Sequence, residues 1–134
     1  MNGVYISPFG CGSQFDRYNQ DAELTEFENI ALDYIKSAFS AADLNFEELR
    51  FRRRSDNYLT ILSPNDNDFC RLKVSERSVW YSITGAYLPS DLKNDPRFDG
   101  VKKNLSHWKV KLQNIEDFKD NSDLIVETYI AIKK

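Results

Sequence analysis

The residues with which nucleophilic or metal chemistry would have to begin are two cysteines, Cys11 and Cys70, and the single histidine, His107. A thiolate–imidazole pair of Cys11 and His107 would supply a nucleophile and its base. No motif brings the two together, so such an enzyme is the weakest of the readings. Cys70 falls on the apolar side of a strand-like run and reads as a small buried hydrophobe. Zinc finds neither a C-x-x-C nor an H-x-x-H spacing. Gly10-Cys11-Gly12-Ser13 carries the small residues of a phosphate loop. Phe15, however, stands where the dinucleotide fingerprint needs a third small residue, and the Gly-Lys-Ser/Thr of the other phosphate loop is absent. The segment reads as a turn. The sequence supports no catalytic residue, no metal site and no cofactor.

Asp66, Asp68 and Lys73 have the composition of a carboxylate–lysine metal site that hydrolyses phosphodiesters. That chemistry needs a carboxylate two positions before the lysine, to hold a divalent ion beside it. Arg71 occupies that position and would repel the ion. Asp66 and Asp68 then read as turn-formers. The basic residues form a better pattern. Arg50, Arg52 and Arg54 alternate to one side of a first strand, with Arg53 on the other. Arg71 and Lys73 share a face of the third strand, Arg77 follows in the next turn, and Lys109 and Lys111 share a face of the last strand. If these strands are neighbours, the open face of the sheet carries Arg52, Arg71, Lys73, Arg77, Lys109 and Lys111, flanked by Tyr58, Phe69 and Trp80. Cations interleaved with aromatics suit an anionic or nucleic-acid ligand. The competing reading is a solvated sheet face whose charges pair across strands.

The elements that must position these groups follow from periodicity. Leu24, Phe27, Ile30, Ala31, Tyr34, Ile35, Ala38 and Phe39 make one apolar stripe, predicting a helix over about 22–42. Asp21 is a candidate cap, and Thr25 with Glu28 spells a capping box one turn later. Asp43 and Asn45 should end the helix. Strands are expected over 49–54, 58–63, 69–75 and 79–84, with Cys70, Leu72 and Val74 on one side of the third and Phe69, Arg71 and Lys73 on the other. The short turns between them require antiparallel neighbours. Residues 85–105 read as a long connection with one helical turn near Pro89. A last strand over 107–112 sets Trp108, Val110 and Leu112 against His107, Lys109 and Lys111. A closing helix begins at about 115 or 120 and runs to 132, with Trp108 expected to be buried against it near Tyr129.

The result is an α+β fold: an antiparallel meander of about five strands with an N-terminal and a C-terminal helix on one face. Residues 1–20 form an N-terminal arm, with a short strand at 4–7, and 21–134 one domain. The 134 residues can build a core without metal or disulfide staples. Hydrophobic residues at 41% exclude wholesale disorder. A net charge of −3 argues against a generic polyanion binder but allows a local basic patch. No run approaches a membrane span, and the start of the chain lacks the basic and apolar regions of a secretory signal. With two cysteines only, reduced thiols and a cytoplasmic location are expected.

His107-Trp108-Lys109-Val110-Lys111-Leu112, an acidic spacer and a helix carrying Asp123-Leu124-Ile125 and Tyr129 resemble the C-terminal end of YjbR/CyaY-like α+β domains. In outline the resemblance covers about 45–132. It departs at Val79-Trp80-Tyr81-Ser82-Ile83, a strand here where that pattern tends toward a helix. Phe69-Cys70-Arg71-Leu72-Lys73 followed by Arg77 and Trp80 also resembles uncharacterised bacterial domains of the same outline. The resemblance implies an α+β fold without established enzyme activity and carries no catalytic residue onto this chain. The expected function is a non-enzymatic binding domain, bacterial or phage-borne, for a protein or nucleic-acid partner. The alternative is a small inhibitor or regulator of a bacterial defence machine.

Overall fold

The computed structural model describes residues 24–53, 58–98 and 107–133. Helix α1 (Glu26–Ala41) begins at Thr25, one turn later than the Asp21 alternative. The Glu28 amide donates to Thr25 Oγ1 at 3.1 Å and the Thr25 amide to Glu28 Oε1 at 2.9 Å, so two otherwise orphaned donors are satisfied reciprocally. At the other end Asp43 takes a positive φ of 59°. The Leu44 amide returns to the Phe39 carbonyl at 2.9 Å and Asp43 to Ser40 at 3.0 Å, closing the last carbonyls in a Schellman arrangement. The buried side is rotated from the expected stripe. Leu32 is fully buried, whereas Ile30 is exposed.

Strands β1 (Arg50–Arg53), β2 (Leu59–Leu62), β3 (Asp68–Val74), β4 (Val79–Thr84) and β5 (His107–Leu112) form one sheet in chain order, every pair antiparallel. Short turns dictate this meander; Asp66, at φ 64°, makes the β2–β3 turn. The connection after β4 contains a single 3₁₀ turn, Ser90–Leu92, and Phe98 bridges to Val110 of β5. The C-terminal segment is a 3₁₀ turn (Ile115–Asp117) running into α2 (Phe118–Asn121) and α3 (Asp123–Lys133). The α+β architecture is therefore as expected, with the helical layer on one face of the sheet.

The pairing of β2 with β3 contains an irregularity. Ile61 faces Cys70 while Leu62 faces Asp68, which leaves Phe69 as an extra residue. Such a bulge breaks the strict alternation of a strand. Phe69 and Cys70 are both fully buried, and the Phe69 ring lies 5.7 Å from that of Tyr129 in α3. This corrects two expectations. Phe69 does not flank the basic residues, and Asp68 is the first residue of β3 rather than part of the turn. Tyr129 also packs on Phe39 at 5.2 Å, and its hydroxyl donates to Glu48, which accepts from Lys133 as well. Trp108 is accordingly not against Tyr129: it is half-buried, edge-on to Phe98 at 5.5 Å. The expected packing fails because the long connection, and not α3, covers this end of β5. Arg97 anchors that connection through Asp95 and, at 2.7 and 2.9 Å, through Asp123 of α3.

Candidate binding face

The observed register decides which side chains share the face away from the helices. Arg53 of β1 points to the helical layer, where its guanidinium holds Glu28 in a bidentate pair at 2.5 and 2.6 Å. Arg52 must then point the other way. Across the sheet Arg52 faces Thr60, Thr60 faces Arg71, Arg71 faces Ser82 and Ser82 faces Lys109. One row over, Lys73 faces Trp80 and Trp80 faces Lys111. On the opposite side of the central row lie Arg50, Leu62 and Asp68, with Thr84 opposite His107. Five of the residues expected from alternation, Arg52, Arg71, Lys73, Lys109 and Lys111, therefore occupy one face. The sixth, Arg77, does not join them. It is exposed in the β3–β4 turn and lines a shallow depression with Thr25 and Phe27 at the start of α1.

Tyr58 and Trp80 belong to this face, 5.3 Å apart between ring centroids. Lys73 Nζ stands 5.6 Å from the Tyr58 ring and Lys109 Nζ 4.4 Å from the Trp80 ring. Each ammonium is thereby held over an electron-rich ring, an arrangement worth about 0.5–1 kcal/mol at exposed sites. The ion pairs of Lys36, Arg53, Arg97 and Lys133 lie off this face. Asp68 is the face's only carboxylate among the described residues. Acidic side chains gather instead on the helical layer: Glu26, Glu28 and Asp33 in α1, and Asp120, Asp123 and Glu127 in α2 and α3. A mildly acidic chain thus has a basic face.

Two further residues lie on this face: Ser82, which the sequence reading did not single out, and His107, which it weighed only as the base of a pair with Cys11 and placed on the Lys109 side of its strand. Ser82 is 2% exposed. Its position, two after Trp80 on a strand opposite Arg71, was the signal that could have found it. His107 is half-buried at the start of β5, and burial first, then the nearby Arg71 charge, depresses its pKa, with Asp68 opposing. Cys70, by contrast, lies wholly in the core, where burial pushes its thiol well up and leaves no reactive thiolate. Cys11, the 1–20 arm, the strand expected at 4–7 and Arg54 lie outside the described residues. Among those that are described, no group of three or more His, Cys, Asp or Glu could hold a metal ion, and no helix is long and apolar enough to cross a membrane.

No family model, no curated protein and no solved structure matches this chain. The site must therefore be read from its own geometry.

Proposed function

We propose that this protein is a non-enzymatic binding domain whose basic sheet face receives a single-stranded nucleic acid. The observation that carries the reading is the cross-strand register, which aligns Arg71, Lys73 and Lys109 with Tyr58 and Trp80. Cations along a surface track a phosphate backbone, and aromatic rings among them accept bases by stacking. An acidic protein partner would use the cations but has less need of the rings, so nucleic acid is preferred.

The test is fluorescence anisotropy with a labelled single-stranded oligonucleotide over a series of salt concentrations. Binding is expected to weaken steeply with salt, the logarithmic slope growing by about 0.7 for each phosphate neutralised on a single strand. Replacing Arg71 and Lys73 together by alanine should flatten that slope by roughly 1.4 while the fold persists. Trp80→Ala should weaken binding by the value of one stacked base, about 1–3 kcal/mol. A salt-insensitive complex, or a double variant that binds with an unchanged slope, would refute the reading. Tight binding of polyglutamate with no binding of oligonucleotide would replace it by an acidic protein partner.

A further inference from the structure

Trp80 is approached by its own chain from both sides of β4. Tyr58, at the head of β2, brings its ring centroid to 5.3 Å from that of Trp80, with the planes tilted by 59°. Lys109 comes from β5, on the other side, and sets Nζ over the Trp80 ring at 4.4 Å. The position directly opposite Trp80 on β5 belongs to Lys111. Lys109 pairs with Ser82 and reaches back diagonally to the ring, as long side chains can across neighbouring strands. Lys73, opposite Trp80 on β3, is directed instead to the Tyr58 ring, 5.6 Å away. Tyr58, Lys73, Trp80 and Lys109 are partly exposed and Lys111 is exposed. A nucleobase stacking on Trp80 needs the ring surface that Lys109 covers. Between the two neighbours of that ring, Lys109 is the one able to yield, because its ammonium is a compact, well-hydrated charge on a flexible four-carbon stem. Stacking of a base on an aromatic side chain is also stronger than the hold of an exposed ring on a lysine.

We propose that Lys109 is an internal gate on the Trp80 ring: it covers the stacking surface in the unbound protein, a base displaces it, and the displaced ammonium takes the phosphate of that same nucleotide. This inference rests on the nucleic-acid reading of the face and adds a coupling to it. Stacking and charge neutralisation become one event at one nucleotide. An uncharged planar compound that reaches Trp80 breaks the lysine contact and offers the ammonium nothing in return. A free inorganic anion draws Lys109 off the ring and leaves the ring bare. A nucleotide supplies both the ring and the anion, within reach of a single lysine side chain. The ligand class selected by the gate is therefore a nucleotide unit, in preference to aromatic compounds or anions alone. Lys111, on the same face of β5 and two residues along, keeps positive charge beside Trp80 when Lys109 moves.

The chain has two tryptophans, so the indole N–H resonance of Trp80 is identified by its loss in Trp80→Phe and then reports on the ring directly. Its shift is followed by NMR against adenosine and adenosine monophosphate, while anisotropy follows a short single-stranded oligonucleotide over a salt series. The wild type should bind the monophosphate more tightly than adenosine. Lys109→Ala should bind adenosine about two- to five-fold more tightly, because the base no longer has to break a cation–ring contact. In the same variant the advantage of the monophosphate should shrink, and the oligonucleotide salt slope should fall by about 0.7, one phosphate's worth. Lys109→Gln, which loses the charge and keeps much of the length, should lower the slope equally. Lys109→Arg, still charged and able to lie on the ring, should keep both the slope and the weak binding of adenosine. A misfolded variant would lose affinity for every ligand, so the gain for adenosine is the decisive reading. If adenosine gains nothing in Lys109→Ala while the oligonucleotide slope falls, Lys109 is a plain phosphate contact: the gate is wrong and the face reading survives. If adenosine and its monophosphate behave as expected while no oligonucleotide binds the wild type, the gate stands and the single-strand reading falls. Should neither small ligand move the Trp80 resonance in the wild type or in Lys109→Ala, the ring takes no base and the proposal is overturned.

Discussion

Phe69 separates the two faces of the sheet more sharply than any other residue. Alternation along β3 assigns it to the basic face, whereas the bulge turns it inward, fully buried against Tyr129. Replacing a buried phenylalanine by alanine costs about 3–5 kcal/mol, because transfer energy and the residual cavity add. Part of that sum is the ring contact with Tyr129, worth about 0.5–1.5 kcal/mol. For a domain of this size the melting temperature should fall by roughly 10–20 °C. Phe69→Leu, which refills much of the space, should cost only about 1–2 kcal/mol. Thermal unfolding followed by circular dichroism measures both. Below its melting temperature the leucine variant should bind the oligonucleotide with wild-type affinity and salt slope. If Phe69→Ala melts within a few degrees of the wild type, or Phe69→Leu keeps its stability and loses binding, the bulge is misplaced. The ring would then belong to the ligand face.

Two further perturbations probe the contacts that hold the layers together. Arg53→Ala strands the Glu28 carboxylate, 3% exposed and held by two short hydrogen bonds, and should cost about 3 kcal/mol in chemical denaturation. Arg50→Ala, at the exposed end of the same strand, should stay within about 0.5 kcal/mol of the wild type. Hydrogen bonds from Arg97 hold the Asp95 carboxyl down to about 2, against a usual value of 3.8. A carboxyl depressed by folding stabilises above its unfolded value, and that contribution is lost as pH falls from 3.8 toward 2. Arg97→Gln should therefore bring the Asp95 titration, read by carboxyl NMR, back toward 3.8, and an unmoved midpoint would exclude the clamp.

Much of this architecture can be read from local pattern. The Thr25–Glu28 box marks the start of α1 because both of its partners lie within one turn, and β4 and β5 follow directly from their alternation. The basic face is legible for the same reason: once neighbours are antiparallel, parity alone sends Arg52, Arg71, Lys73, Lys109 and Lys111 to one side. The misplaced residues depend on distant contacts. Ile30 gives way to Leu32 on the buried side of α1 because the helix turns Glu28 toward Arg53, which is brought close only by the sheet. Trp108 meets Phe98 because Arg97 draws the long connection down onto α3. Arg77 leaves the face because a turn residue is bound by no strand parity.

The bulge has the largest consequence for function. A regular β3 would set Phe69 outward and Asp68 inward, where a carboxylate would lie among Phe51, Ile61 and Ile83 without compensation. Burying such a charge costs several kcal/mol. One extra residue exchanges the two. The ring goes to the core, and the carboxylate comes to the face, where it opposes the effect of Arg71 on His107. Core packing and the electrostatics of the binding face are thus set by the same irregularity. A variant that deletes it, Phe69 removed and the chain rejoined, makes Asp68 the neighbour of Cys70, so alternation keeps Cys70 in the core and Asp68 on the face opposite Leu62. Stability should then fall by about 3–5 kcal/mol with loss of the buried ring, while the His107 titration stays where it is. An unchanged stability, or a His107 midpoint that moves, would contradict this placement of the bulge.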